Sequence, residues 1–246
     1  MKPHLIALAL TLIAPSTLAQ TPQAQPGMRY VSFAHGTGFY VSKDGYLITN
    51  AHVVRGCTQE VHVNSGVTNT TAQVIARNDA LDLALLKSVS YAPAVATLRT
   101  NDKTIKQGEP VIVMGYAGMA GAKGTYSFVK SQVVGINGPT GEPHWLQFGN
   151  AAQQGNSGGP LLDDSGHVIG VITGKTQLYR VDKRANVAPT KVGESDVAVN
   201  LFTLTAFLDH NRVRYQGAQS GLLAFSDTRL ESYASNYIVQ LRCQTN

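Results

Sequence analysis

Cysteine, tryptophan and charge are all scarce in this sequence: 246 residues contain two Cys and one Trp, and Asp, Glu, Lys and Arg make up only 14%. Two thiols are too few for a disulfide-dense scaffold or a four-cysteine zinc site. Neither sits in a motif with an activating histidine, so a cysteine nucleophile is not expected. His35, His62, His144, His167 and His210 show no metal-ligand spacing, and no metal or other cofactor is expected. The glycine-rich run from Gly115 to Gly124 lacks a following Gly-Lys-Ser/Thr, which excludes a phosphate loop and leaves a surface loop. Internal repeats and long low-complexity tracts are missing. The formal charge of +5 is scattered apart from Arg180, Lys183, Arg184 and Lys191. Nucleic-acid binding would need a denser basic stripe with interleaved aromatics. After the N-terminal segment, no run approaches the ~20 apolar residues that span a bilayer, so stable membrane insertion is not expected.

The apolar run that does exist is short and N-terminal. Lys2 supplies a positive start, Leu5 to Ile13 an apolar core, and Thr17-Leu18-Ala19 the small residues of a cleavage site. Residues 1–19 therefore read as a signal peptide, and the protein as exported to the periplasm or the extracellular space. Residues 20–28 are rich in Pro, Gln and Thr and read as a flexible lead-in. In an oxidising compartment Cys57 and Cys243 are expected to pair, tying the segment after His52 to the C-terminus; two buried thiols that never meet are the alternative.

From Arg29 onward, short apolar runs alternate with turn residues, among them Gly36-Thr37-Gly38 and Lys43-Asp44-Gly45, at the spacing of an all-β barrel. Residues 29–100 are expected to form a first barrel and 101–215 a second. Strands of the second are expected at Val111–Met114, Ser127–Ile136, Trp145–Phe148, Pro160–Leu162, Val168–Thr173 and Asp196–Val199. Leu201 to Arg212 reads as a helix. Residues 216–246 form an extension with a further helix, its capping box at Thr228 and Glu231, its stripe Leu230, Tyr233, Ala234, Tyr237, Ile238 and Leu241.

Three segments carry chemistry. Gly155-Asn156-Ser157-Gly158-Gly159-Pro160 holds a serine in a glycine-walled turn, Thr49-Asn50-Ala51-His52 ends an apolar run on a histidine, and Leu81-Asp82-Leu83-Ala84-Leu85 embeds one aspartate among apolar residues. A serine hydroxyl needs a base within reach, and His52 is the candidate. Asp82 is the candidate to hold the imidazole in one tautomer; a place on the polar face of a strand is its bland alternative. The N–H groups of Gly155 and Ser157 are the candidate oxyanion donors if Asn156 bends the turn. The chain order His, Asp, Ser is that of chymotrypsin-type enzymes.

Gly36-Thr37-Gly38-Phe39 through Thr49-Asn50-Ala51-His52-Val53-Val54, Asp82-Leu83-Ala84-Leu85 and Gly155-Asn156-Ser157-Gly158-Gly159-Pro160-Leu161 resemble the protease domain of the Deg/HtrA serine proteases. The resemblance spans about residues 30 to 210. It implies a chymotrypsin-like double β-barrel, His52, Asp82 and Ser157 as the triad, and protein or peptide substrates. It also implies a primary pocket built from Ala151, Ala152, Ile172, Thr173 and Gly174 with no acid near its base, suited to small or medium apolar side chains. His167 is a remote candidate for binding an acidic side chain and more naturally a turn residue. Three departures stand out. Too few residues follow Arg212 for a PDZ domain, Gln153-Gln154 replaces the family's usual Asn-Pro, and Lys175 to Ser195 reads as a long loop of this chain's own. No Arg-Ile-Val-Gly-Gly start is present, so activation by N-terminal insertion is not expected. A latent barrel acting as a peptide-binding module or chaperone, and a hydrolase of non-peptide esters, are the competing functions.

Overall fold

The computed structural model describes residues 31–66, 68–100, 104–181, 188–220 and 224–245. The expected signal peptide, the lead-in, Lys183 and Arg184 lie outside them. Strands β1 (Ser32–Tyr40), β2 (Tyr46–Thr49), β3 (Val61–Ser65), β4 (Thr68–Asn78) and β5 (Leu83–Ser88) come first. They are followed by β6 (Thr97–Arg99), β7 (Pro110–Gly115), a short helix α1 (Gly118–Ala122), β8 (Ser127–Gly135), β9 (Trp145–Phe148), β10 (Pro160–Asp163), β11 (Val168–Arg180) and β12 (Thr190–Asn200). Helix α2 (Leu201–His210), β13 (Gln216–Ala218), α3 (Asp227–Ala234) and β14 (Ile238–Thr245) complete the chain.

The fold is two β-barrels. One closes in the order β1-β14-β3-β4-β5-β2, and the β10–β11 pairing closes β10-β7-β8-β9-β12-β11 into the other, with β6 and β13 added beyond β11. Alternation drives the closure. Along β14, Val239, Leu241 and Cys243 are buried while Gln240, Arg242 and Gln244 are not. One apolar cluster, including Phe39, Leu47, Leu85 and Leu241, fills the first barrel and continues to Met114, Leu162 and α2. A second, with Val113, Phe148, Leu161 and Ile169, fills the other. Buried Arg99 bridges Glu109 and Asp163, its Nε donating to Asp163 Oδ2 at 3.0 Å.

Several expectations differ from the structure. The run from Gly115 to Gly124, expected as a surface loop, carries helix α1. β6, expected within a first barrel of residues 29–100, pairs in the second sheet, and the expected extension 216–246 supplies β14 to the first barrel. Gly36-Thr37-Gly38 is strand rather than turn, lying inside β1 with all three residues buried. The expected loop from Lys175 to Ser195 is largely the arms of a β11–β12 hairpin, paired from Gly170↔Asn200 out to Arg180↔Thr190. Polar residues occupy both faces of those arms, with Leu178, Tyr179 and Val192 scattered among them and exposed, so no apolar alternation announces the strands; cross-strand Gln177 and Glu194 hydrogen-bond instead. The C-terminal helix is capped by Ser226, not Thr228, and ends at Ala234. Tyr237, Ile238 and Leu241 fit a helical stripe by spacing, yet from Ile238 the chain is strand. Extended backbone gains a full ladder with β1, Phe39↔Ile238 to Ser32↔Thr245, and a second with β3.

This last segment straps the barrels together. β13 lies beside β6 in the second sheet, and the Tyr233 hydroxyl meets Thr97 Oγ1 at 2.9 Å. Leu230 packs over Gly166 in the β10–β11 turn, and β14 completes the first barrel. Cys57 and Cys243 are joined in a disulfide with Cα atoms 5.6 Å apart, beside the Cys57↔Thr245 bridge.

Candidate active site

β2 ends at Thr49, and a single 3-10 turn, His52–Val54, buries Val53 and Val54. That anchoring leaves the His52 side chain at the cleft edge, 41% exposed. Asp82 occupies the turn just before β5 and not the polar face of a strand. Its φ is +53°, a left-handed conformation that Asp tolerates better than bulkier residues. The Asp82 carboxylate faces His52 twice: Oδ1 accepts from the His52 backbone N–H at 3.0 Å, and Nδ1 lies 2.8 Å from Oδ2. Asn50 Nδ2 donates to the Asp82 carbonyl at 2.9 Å, fixing the turn. A carboxylate on Nδ1 keeps the proton there, so Nε2 presents its lone pair to the cleft.

Ser157 lies between β9 and β10, in a turn held from both barrels. Gly158 N–H donates to Ile172 O at 2.8 Å, Ile172 N–H to Gly159 O at 2.8 Å, and Thr37 N–H to Ser157 O at 2.9 Å. Gly158 has φ +84°, and a Cβ there would fall 2.1 Å from Thr49 Oγ1, so only glycine fits. The Ser157 hydroxyl donates to the Thr173 carbonyl at 2.9 Å. A hydrogen bond from this hydroxyl to His52 would require rotation of the serine about χ1.

The preceding loop is ordered by three groups. Gln154 O accepts from Gly118 N–H at 2.7 Å. Because a trans peptide is planar, the Gly155 N–H points the opposite way from that carbonyl. Asn156, 1% exposed, accepts from Gln153 N–H at 2.8 Å and donates to Ser127 Oγ at 3.1 Å, so it bends the turn through its side chain. Thr37 Oγ1 donates to Gly155 O at 2.6 Å and accepts from Tyr116 N–H at 2.8 Å. Gly155 and His52 line one cleft of about 550 Å³ between the barrels.

Ala151 and Ala152 follow β9, and Ala152 and Ile172 are buried in the second barrel's core. Thr173, whose carbonyl receives the Ser157 hydroxyl, follows Ile172 at a β-bulge before Gly174. The expectation of no acid near these residues fails. Asp196 is fully buried, and its Oδ2 accepts from both Ala151 N–H and Ala152 N–H at 2.6 Å. It is distant in sequence, and the β11–β12 pairing Lys175↔Asp196 brings it in. Oδ1 makes no hydrogen bond, and Lys175 Nζ lies 3.4 Å from it. His167 belongs to the β10–β11 turn, with its N–H on Asp163 Oδ1, and plays no part in the cleft.

Sequence reasoning missed Thr37, Gly118, Asp196 and the role of Asn156's amide. Thr37 between two glycines, Gly118 in the glycine-rich run and Asn156 beside Ser157 all stood in motifs that invited attention; Asp196 did not.

Comparison with known proteins agrees with this architecture. A family model described as a trypsin-like peptidase domain matches residues 36–171. The chain is 36% identical over 156 residues to the magnetosome formation protease MamE of Paramagnetospirillum magneticum, covering 61% of this chain and 21% of that protein. It is 33% identical over 142 residues to a probable periplasmic serine endoprotease, DegP-like, of Rhizobium meliloti, covering 57% and 28%. The match thus spans about a fifth to a quarter of the length of such relatives. Among solved structures, the active form of the Rv3671c protease from M. tuberculosis superposes with a TM-score of 0.54 at 26% identity, covering 76% of this chain and 78% of that one.

Proposed function

The chain belongs to the trypsin-like peptidase domain family and carries a serine protease domain of that family; from this premise we propose an exported endopeptidase that works through an acyl-enzyme. Ser157 Oγ attacks the scissile carbonyl carbon while His52 Nε2 takes its proton, and Asp82 stabilises the imidazolium. The N–H groups of Gly155 and Ser157 receive the charge that develops on the carbonyl oxygen. His52 then protonates the leaving amine, the C–N bond breaks, and water activated by the same imidazole hydrolyses the ester at Ser157.

The observation that carries this reading is the orientation of the Gln154–Gly155 peptide. Gln153-Gln154 replaces the dipeptide expected there, yet the Gln154 carbonyl is taken up by the Gly118 N–H, and the Gly155 N–H, on the opposite side of that planar peptide, is read as the donor to the oxyanion. Export to the periplasm or beyond is supported by the signal-like segment at residues 1–19 and by the Cys57–Cys243 disulfide. Substrate preference for small or medium apolar side chains rests on Ala151, Ala152 and Thr173, with the Asp196 charge taken up by two amides and Lys175.

Fluorophosphonate labelling of the purified protein, read by intact mass against Ser157→Ala, tests the reading. Stoichiometric modification of wild type alone is expected. A second reading, a latent barrel that binds peptides, is favoured by one observation: the Ser157 hydroxyl rests on Thr173 O. Absence of labelling in folded protein selects it.

A further inference from the structure

The cleft that holds His52 and Gly155 does not end beside the catalytic residues. It shares Phe33, Ala122 and Gln240 with a second cavity of about 510 Å³ between strands β3 and β14 of the first barrel and the end of α1, walled by His62, Lys123 and Arg242. No carboxylate lines either cavity. Among the described residues, the acid–base ion pairs involve neither Lys123 nor Arg242. Arg242 is held over the Phe33 ring at 4.0 Å, which keeps its guanidinium at the groove instead of free in solvent. Gln240 Nε2 donates to Gly121 O at 2.6 Å and so fixes the floor where the two cavities join.

The direction of this groove follows from the chemistry. His52 delivers a proton to the leaving amine, so the polypeptide on the C-terminal side of the scissile bond departs past His52. Ala151, Ala152 and Asp196 line neither cavity. The groove therefore serves the leaving segment and not the side chain that precedes the cut.

We propose that this groove binds the segment C-terminal to the scissile bond and selects acidic residues in it, through Lys123 and Arg242 with His62 beside them. The occupant is the substrate polypeptide, argued from continuity with the catalytic cleft and from a wall that offers cations and no anion. The inference deepens the proposed peptidase reading and rests on it for the direction of the chain. Two exposed charge pairs of ordinary strength give a preference of about 2–30-fold.

The test uses two fluorescent peptides with the same residues before the cut and a tail after it rich in either Glu and Asp or Gln and Asn. Binding to the Ser157→Ala full chain is read by anisotropy. The acidic peptide is expected to bind about 2–30-fold more tightly at low salt. That gap closes near 1 M salt, where the screening length is ~3 Å. It also closes in a Lys123→Gln/Arg242→Gln double variant, and Lys123→Gln alone, which leaves the Phe33 stack intact, halves it. Equal affinities at low salt, in protein of native circular dichroism, overturn the proposal. Cleavage by wild type separates the two readings. A protein that is labelled and cleaves both peptides equally loses this inference and keeps the peptidase. One that is never labelled yet prefers the acidic tail keeps the acidic groove and loses the peptidase.

Discussion

The Thr37 hydroxyl donates to the Gly155 carbonyl at 2.6 Å, linking a strand of the first barrel to the loop that precedes Ser157 in the second. The same oxygen accepts from Tyr116 N–H, and the Thr37 backbone N–H holds Ser157 O. One fully buried residue thus ties three backbone positions around the site. Thr37→Val keeps the shape and removes the hydroxyl, leaving a buried carbonyl and amide without partners at about 1–3 kcal/mol each. The urea midpoint is expected to fall, and fluorophosphonate labelling of Ser157 to slow by at least ~10-fold. Unchanged labelling would remove Thr37 from the account of the loop.

Gly118→Pro deletes the N–H that holds Gln154 O and cannot adopt the native φ of +57°. Freed from that bond, the Gln154–Gly155 peptide can flip and withdraw the proposed oxyanion donor. Loss of one donor of this kind costs about 10²–10³ in rate. The expected signature is a fall of that size in kcat with little change in the circular dichroism spectrum.

Lys175 is the cation beside the buried Asp196 carboxylate, and Asp196 sits on the amides of Ala151 and Ala152. In Lys175→Ala the carboxylate loses that compensation, and a substrate cation can supply it. A peptide panel varied before the cut should show Lys and Arg gaining roughly 10-fold on Ala, equivalent to about 1.4 kcal/mol. A panel with the same ranking as wild type would place the acid outside the pocket.

Arg99 is wholly buried between Glu109 and Asp163. Arg99→Met leaves both carboxylates without their cation, and breaking a buried pair from one side costs about 3–5 kcal/mol. Chemical denaturation should register a loss of that order, and an Arg99→Met/Asp163→Asn double variant should recover part of it. Additive losses in the two variants would show that the pair is not coupled.

Removing residues 236–246 takes out β14, a stave of the first barrel, and Cys243 with it. Insoluble or unfolded protein is the expected result, whereas a gain of activity would mark the segment as an inhibitory tail. The milder change, Cys57→Ser with Cys243→Ser, should keep the fold and lower stability by about 2–5 kcal/mol.

Much of this architecture is legible along the chain. β9 begins and ends at the residues its alternation marks, and α2 starts at Leu201 as its apolar spacing predicts, capped by Asn200 accepting from Thr203 N–H. The β11–β12 arms and β14 are not legible. The arms have polar residues on both faces, and the run from Leu230 to Leu241 satisfies a helical period and a strand period over different parts of its length. Which period wins is decided by the partners available, and β1 and β3 lie far away in sequence.

The sequence by itself determined the β-rich class and the family, because these depend on local alternation and on short motifs in which neighbouring residues act together. It also contained the two cysteines that bond. Tertiary structure alone decided that Thr37 braces the Gly155 loop, that Gly118 orients the Gln154 peptide, that Asp196 lies under Ala151 and Ala152, and that the C-terminal strand closes the first barrel. Each of these joins residues tens to hundreds of positions apart. Their proximity is a property of barrel closure and strand register, which no local window of sequence contains.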